Sequence, residues 1–276
     1  MARQYAVWGN PIAHSKSPYI HQLFAQQSNR RIEYAAKLGD KIAFEKQLVQ
    51  FFTDGANGVN ITSPFKARAF RLADVCSESC LLAGAANTLK RLDDGRLFAD
   101  NTDGKGFCAD LARLEWLIPE QRVLILGAGG VTKGVLLPLL LAKQKVTLSN
   151  RTHIKAVELA QQFAKYGDIQ AVSLSEIVQH PPFDLIINAT SLGLQGGYIA
   201  LPNHLFEKSA VYDMEYASNM CTPFLNYVRT QGVTRYQDGL GMLVNQAAFS
   251  FQLWEGELPK VENVLKQLRA EMGYVK

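Results

Sequence analysis

The sequence predicts an α/β protein of two domains, and three observations lead there. Strand-like and helix-like segments alternate through the first hundred residues, which implies a mostly parallel sheet covered by helices. From Arg122 a continuous apolar strand, Val123-Leu124-Ile125-Leu126, runs directly into Gly127-Ala128-Gly129-Gly130 and an apolar helix, the opening of a doubly wound unit. The length of 276 residues suits two domains of roughly 100–150 residues each.

Taken in order, strands are expected at 5–9, 32–37 and 58–62, with helices at 17–29 and 43–53 between them. Pro64 is expected to open a further helix reaching about residue 75, since a missing N–H costs nothing in a first turn. Residues 88–92 and 97–100 flank the turn Asp93-Asp94-Gly95 and read as a hairpin. In the second unit, strands at 123–126, 145–149, 169–172, 183–188, 210–214 and 233–236 are separated by helical stretches. Apolar helix 241–255 and amphipathic helix 261–272 lie beyond that unit and are expected to return to the first domain. The division therefore falls at 1–103 plus 237–276 against 104–236.

With 47% hydrophobic and 20% charged residues, the chain has an ordinary globular composition. A net charge of +4 and a pI near 8.8 come from scattered Lys and Arg, not from the runs that mark nucleic-acid or membrane partners. A basic pocket for a small anion accounts for them. The longest apolar stretch, 135–142, contains Pro138 and falls short of the ~20 residues needed to cross a bilayer. Met1-Ala2-Arg3-Gln4 lacks the character of a signal peptide, so a cytosolic location is expected. Cysteines stand at 76, 80, 108 and 221. Cys76 and Cys80 have no accompanying His, and no metal site is expected.

Gly127, Ala128, Gly129 and Gly130 sit between a buried strand and a helix, where Gly127 permits a tight turn and Gly129 lets backbone approach a pyrophosphate. The helix N-terminus adds free N–H groups and a positive dipole end. A third glycine would fall at 132, where the chain has Thr132. A site for NAD places Asp or Glu about 20 residues after the glycines; here Asn150-Arg151-Thr152 closes the second strand, with Lys155 beyond. A guanidinium and a hydroxyl bind a 2′-phosphate that a carboxylate would repel, so NADP is the expected cofactor.

Outside this unit, polar clusters stand where strands give way to helices: Ser15-Lys16-Ser17, Asn60 to Lys66, Asn87-Thr88 and Asp100 to Gly104. They suit a ligand carrying hydroxyls and a carboxylate, although each Ser, Thr, Asn or Asp taken singly reads as a helix cap.

Together these residues carry a resemblance. Gly9-Asn10-Pro11-Ile12-Ala13-His14-Ser15-Lys16-Ser17-Pro18, Asn60-Ile61-Thr62-Ser63-Pro64-Phe65-Lys66, Ala86-Asn87-Thr88, Asp100-Asn101-Thr102-Asp103-Gly104, the glycine turn, Asn150-Arg151-Thr152, Asn188-Ala189-Thr190-Ser191 and Asp238 to Leu243 with Gln246 resemble the shikimate dehydrogenase family in order and spacing. The resemblance implies a substrate domain completed by C-terminal helices, a Rossmann-like NADP domain, and an active site in the cleft. It implies reversible reduction of 3-dehydroshikimate to shikimate by NADPH, on the route to chorismate and aromatic amino acids. Lys66 and Asp103 match the catalytic pair. By the same likeness Ser15 and Ser17 hold the substrate carboxylate, Thr62, Asn87 and Gln246 its hydroxyls, and Tyr216 adds a hydroxyl. Met214 and Gly239 match positions that line the nicotinamide pocket.

Side-chain chemistry agrees with those roles: a hydride reaching a carbonyl carbon develops negative charge on oxygen, and Lys66 supplies both charge and proton. Asp103 would orient the ammonium and a neighbouring substrate hydroxyl. His14 and His21 read as a loop residue and a helix-face residue, not as acid–base groups. Lys133 and Lys155 stand where related enzymes often carry Arg; Ser63 and Glu215 also depart from the commonest pattern. A quinate/shikimate dehydrogenase of dual cofactor use would favour an acidic residue near 150. An idle dinucleotide-sensing homologue would lack Lys66 or Asp103, and a methylene-tetrahydrofolate-type dehydrogenase would lack the serine pair before Pro18. The expected partners are small molecules, with the chain a monomer or homodimer.

Overall fold

The computed structural model describes residues 2–274. The chain falls into two compact units, residues 1–106 with 244–264 and residues 107–243 with 265–276.

The first unit opens with β1 (Arg3–Gly9), α1 (Ser17–Gln27), β2 (Ile32–Leu38), α2 (Phe44–Thr53) and β3 (Gly58–Ile61). It continues with α3 (Lys66–Leu72), β4 (Val75–Cys76), α4 (Glu78–Ala83), β5 (Thr88–Arg91) and β6 (Leu97–Asp100). The sheet order is β2-β1-β3-β5-β6-β4. β1 pairs parallel with β2 and β3, whereas β5 runs antiparallel to β3 and β6 as the expected hairpin. Ala6, Trp8, Phe44, Leu48, Val59, Phe65 and Leu89 are among the residues of its apolar core. Two details differ from the sequence reading. The helix expected from Pro64 begins at Lys66 and stops at Leu72, because residues 62–65 form a turn, with Phe65 N–H donating to the Thr62 carbonyl at 3.0 Å, and Val75–Cys76 leaves to pair with β6. The short β4 and α4 were not anticipated; two strand residues and a six-residue helix carry too little periodicity to register.

The second unit holds α5 (Asp103–Arg113) from Phe107 onward, then β7 (Arg122–Leu126), α6 (Gly130–Leu141), β8 (Lys145–Ser149), α7 (His153–Phe163) and β9 (Ile169–Ala171). β10 (Leu185–Asn188), β11 (Ala210–Asp213), α8 (Pro223–Thr230) and β12 (Tyr236–Asp238) follow. All pairings are parallel, in the order β12-β11-β10-β7-β8-β9. That is the doubly wound order, with its switch point between β7 and β10. β7 and β10 are buried at nearly every position, as strands covered on both faces must be. The last strand, expected at 233–236, lies at Tyr236–Asp238.

α9 (Leu240–Glu255) and α10 (Glu262–Glu271) close the chain. Residues 244–264 lie with the first unit: Trp254 Nε1 donates to the Leu89 carbonyl at 2.9 Å, and Glu255 accepts from the Tyr5 hydroxyl at 2.6 Å. Residues 237–243 and 265–274, which the sequence reading gave to the first domain, lie with the second. The contacts explain why: Asn219 N–H donates to the Met272 carbonyl at 3.1 Å, and the Tyr274 hydroxyl donates to Asp238. No helix among the described residues is long and apolar enough to cross a membrane.

Candidate active site

In the first unit, the turn after β3 carries the Asn60 to Lys66 cluster. Lys66 is the first residue of α3, and its carbonyl accepts from Ala86 N–H at 2.9 Å, which fixes it beside the Asn87 segment. Lys66 Nζ lies 2.6 Å from Asp103 Oδ2. The lysine side chain is 31% exposed and the aspartate 9%, so the ammonium is open on one side while its partner is sunk in the fold.

Asp103 is in turn held. Its Oδ1 accepts from Asn87 Nδ2 at 2.9 Å, and its backbone N–H donates to Asn101 Oδ1 at 3.2 Å. Asn87 Nδ2 also reaches Gln246 Oε1 at 3.1 Å and Thr102 Oγ1 at 2.8 Å, while Asn87 Oδ1 accepts from Thr102 N–H at 2.8 Å. Thr102 Oγ1 donates to the Gln246 carbonyl at 3.0 Å. A Cβ on Gly106 would meet Gln246 N at 2.4 Å, so glycine is what lets the backbones of α5 and α9 approach closely enough for these bonds. Lys66, Asn87, Asp103 and Gln246, four of the residues singled out from sequence, thus form one hydrogen-bonded set.

Ser15, Ser17 and Thr62 lie in the same unit on adjoining loops. Asn10 N–H donates to the Ser63 carbonyl at 3.0 Å, and Thr62 packs where a Cβ on Gly9 would meet its methyl at 2.4 Å. Ser15 Oγ accepts the Ser17 N–H at 3.3 Å. Both loops carry a cis proline, at Asn10-Pro11 and Ser63-Pro64. His21 is fully buried and stacked on Tyr34 at 4.3 Å between ring centroids; burial pushes its imidazole down to about 3, so it stays neutral and has no acid–base role at neutral pH.

In the second unit, Gly127 has φ +110°, and a Cβ there would lie 2.9 Å from the Ala189 carbonyl oxygen. A Cβ on Gly129 or Gly130 would meet nothing within 4 Å. Internal packing leaves that backbone open at the head of α6, where first-turn N–H groups have no partner inside the helix. Thr132, in place of a third glycine, is fully buried and donates its hydroxyl to the Gly127 carbonyl at 3.0 Å, bracing the turn. At the end of β8, Asn150 Nδ2 donates to the Thr152 carbonyl at 2.9 Å. Thr152 caps α7 without using its side chain, the first turn of α7 has no acidic residue, and Arg151 and Lys155 are exposed. Two cations, a hydroxyl and an open helix start fit the 2′-phosphate of NADP. Met214 and Gly239 meet closely, since a Cβ on Gly239 would lie 2.2 Å from the Met214 carbonyl oxygen; Tyr216 follows on the same loop, 37% exposed.

Comparison with known proteins accords with this geometry. Residues 7–89 match the family model of the shikimate dehydrogenase substrate binding domain, 111–195 that of shikimate / quinate 5-dehydrogenase, and 239–269 that of the shikimate 5′-dehydrogenase C-terminal domain. A shikimate dehydrogenase (NADP(+)) of Actinobacillus pleuropneumoniae serotype 5b is 67% identical over 99% of both chains. The chain belongs to the shikimate dehydrogenase family. Among solved structures, an Ael1 enzyme from Pseudomonas putida is 43% identical with a TM-score of 0.90, covering 97% of this chain and 98% of that one. Shikimate 5-dehydrogenase from Thermus thermophilus, in complex with NADP(H) and shikimate, is 32% identical with a TM-score of 0.84, covering 98% and 99%.

Within the family pattern, sequence reasoning passed over residues that hold the site. Thr102 stood inside a quoted motif but was given no role; it bridges Asn87 and Gln246. Ser250 joins Asn60 at 2.9 Å and Thr88 at 2.7 Å, one turn beyond Gln246 on α9, and that four-residue spacing was the available signal. Glu215, a departure from the common pattern, has its carboxylate against Gly193 in the segment after β10. Burial, and then the charge of Asp213, raises it to about 7. Nothing in the structure accounts for Ser63.

Proposed function

We propose that the chain interconverts 3-dehydroshikimate and shikimate with NADP(H), using Lys66 and Asp103 as its catalytic pair. It is an NADP-dependent oxidoreductase acting on a CH–OH group, with shikimate and NADP as its small-molecule partners. The observation that supports the pair most directly is the 2.6 Å contact between Lys66 Nζ and Asp103 Oδ2, with Asp103 anchored through Asn87 to Gln246.

NADPH, when bound, supplies the hydride. The chain's own residues do the rest. Lys66 presents a charged N–H donor to the carbonyl oxygen, stabilises the charge that develops there and delivers the proton. Asp103 keeps the ammonium directed and accepts from the adjacent substrate hydroxyl. In the oxidative direction the pair runs in reverse, Lys66 taking the hydroxyl proton. Asn87, Gln246 and Thr62 offer amide and hydroxyl groups to the remaining ring hydroxyls, and the Ser15–Ser17 loop offers hydroxyls to the carboxylate. Arg151, Thr152 and Lys155 would hold the 2′-phosphate, with Asn150 shaping their turn, and Gly127 to Gly130 would admit the pyrophosphate. Met214, Gly239 and Tyr216 are assigned to the nicotinamide end and the substrate beside it.

The functional division we assign to these units gives residues 1–106 with 244–264 the substrate and the catalytic pair, and residues 107–243 with 265–274 the NADP. The cytosol, where the four free thiols stay reduced, is the proposed location. Initial rates with shikimate or quinate, each with NADP+ or NAD+, test the assignment. Fast turnover is expected for shikimate with NADP+; a preference for quinate with NAD+, or no turnover, overturns it.

A further inference from the structure

β10 ends at Asn188, and the segment after it packs against the glycine turn: a Cβ on Gly127 would lie 2.9 Å from the Ala189 carbonyl oxygen and 3.3 Å from the Thr190 methyl. Further on, Leu192–Gln195 form a short 3₁₀ turn, closed by Gly196 N–H to the Gly193 carbonyl at 3.0 Å and Gly197 N–H to the Leu192 carbonyl at 2.9 Å. Gly196 leaves it at φ +77°, a conformation open to glycine, and the Leu194 side chain is 80% exposed. Glu215, between Met214 and Tyr216 on the loop after β11, holds this turn. Its carboxyl accepts from Leu194 N–H, and a Cβ on Gly193 would run into Oε2. The other oxygen, Oε1, is enclosed with no hydrogen-bond partner among the described residues. The charge acting on Glu215 is that of Asp213 at the end of β11, which accepts from Asn188 Nδ2 at 2.9 Å and Thr222 Oγ1 at 2.6 Å and faces Asp238 of β12. Acidic neighbours and one N–H donor suit a neutral acid and not an anion.

We propose that Glu215 is a positioning residue of the cofactor site: its protonated carboxyl latches the Leu192–Gln195 turn to the Met214–Tyr216 loop, and the latch lets go once the proton leaves. The latch acts through backbone. While it is closed, Ala189 and Thr190 stay packed against the Gly127 turn, where the pyrophosphate is assigned, and Met214 and Tyr216 stay in place at the nicotinamide end. The inference rests on that assignment of NADP to this unit. Linkage sets the sign. In the closed form, burial and then the charge of Asp213 raise the carboxyl to about 7; released into water, it returns to the ordinary carboxylate range. Above pH 7 the ionised group is therefore better accommodated in the open form, and each further pH unit weakens the closed form by up to about tenfold.

Titration of the full chain with NADP+ between pH 6 and pH 8.5, in wild type and Glu215→Gln, tests the latch. Glu215→Gln keeps a neutral acceptor for Leu194 N–H at every pH, and both proteins meet the same titration of the 2′-phosphate, so the ratio of their dissociation constants isolates Glu215. That ratio is expected near one at pH 6, with wild type roughly fivefold weaker or more at pH 8.5. Hydrogen exchange at the Leu194 amide gives a second readout without cofactor: its protection should fall above pH 7 in wild type and hold in Glu215→Gln. A ratio that stays at one across the range overturns the proposal, and so does Leu194 protection that follows the same course in both proteins. Failure of both proteins to bind NADP+ would instead remove the cofactor assignment, and the exchange comparison would still decide whether the latch exists.

Discussion

Lys66 is partly open while Asp103 beside it is almost fully enclosed, an asymmetry that assigns different work to the two. Asp103 places one carboxylate oxygen on Lys66 and the other on Asn87, and each oxygen keeps a lone pair for the substrate hydroxyl proposed beside it. Asp103→Asn keeps the shape and removes the charge; it is expected to cut kcat for shikimate oxidation roughly 10²-fold or more, measured by initial rates. At Glu215 the carboxyl is raised to about 7 by burial and by Asp213, which burial itself raises to about 6. An acid whose folded value lies above its unfolded one adds stability that is present at low pH and lost as pH rises through the folded value. Glu215→Gln should therefore lose less stability than wild type between pH 5 and pH 8, by about 1 kcal/mol after allowance for partial solvent screening. Urea melts at the two pH values check this, and parallel losses in both proteins contradict it. Lys66 and Asp103 were visible in the sequence only as members of ordered motifs, because a lone Lys near a helix start reads as a surface residue and a lone Asp there as a cap. The Asn87–Thr102–Gln246 bonds were not visible, because they depend on how α5 and α9 pack.

Among the elements, α1 shows the opposite pH dependence. His21 is neutral in the fold and readily protonated when unfolded, so folding resists protonation and stability falls as pH drops below about 6.5 towards 3. The slope from this one group is up to about 1.4 kcal/mol per pH unit. His21→Phe, which preserves a ring against Tyr34 and Phe24, should show a shallower acid loss than wild type in melts from pH 6 to pH 4. At the start of α7, the proposed hold of Arg151 on the 2′-phosphate predicts that Arg151→Ala raises KM for NADP+ at least tenfold and leaves rates with NAD+ nearly unchanged. Equal losses with both cofactors would remove Arg151 from 2′-phosphate recognition. Most elements could be read from periodicity, since β7, β8, β10 and β11 are apolar and bounded by turns. β4 and α4 escaped because their form comes from pairing with β6 and from the Ser77 cap, contacts that a short window does not contain.

Across the whole molecule, alternation of strands and helices was enough to foresee two α/β units, and the glycine turn after β7 marked where the second sheet centres. The destination of the C-terminal helices was harder to read. Amphipathicity reports that α10 buries a face but not which unit receives it; the bonds from Met272 and Tyr274 decide that locally. Thr132 is similar: a hydroxyl replaces the third glycine because it can brace the Gly127 carbonyl, a geometry no spacing rule encodes. Folding thus supplies both a held Lys66–Asp103 pair and an open glycine turn on one chain. The reaction assigned to them depends most on the amine at residue 66. Steady-state kinetics of Lys66→Ala with shikimate and NADP+ probe it directly. A fall in kcat of about 10²–10⁴-fold, with KM for shikimate changed far less, is the expected result; turnover at the wild-type rate would contradict it.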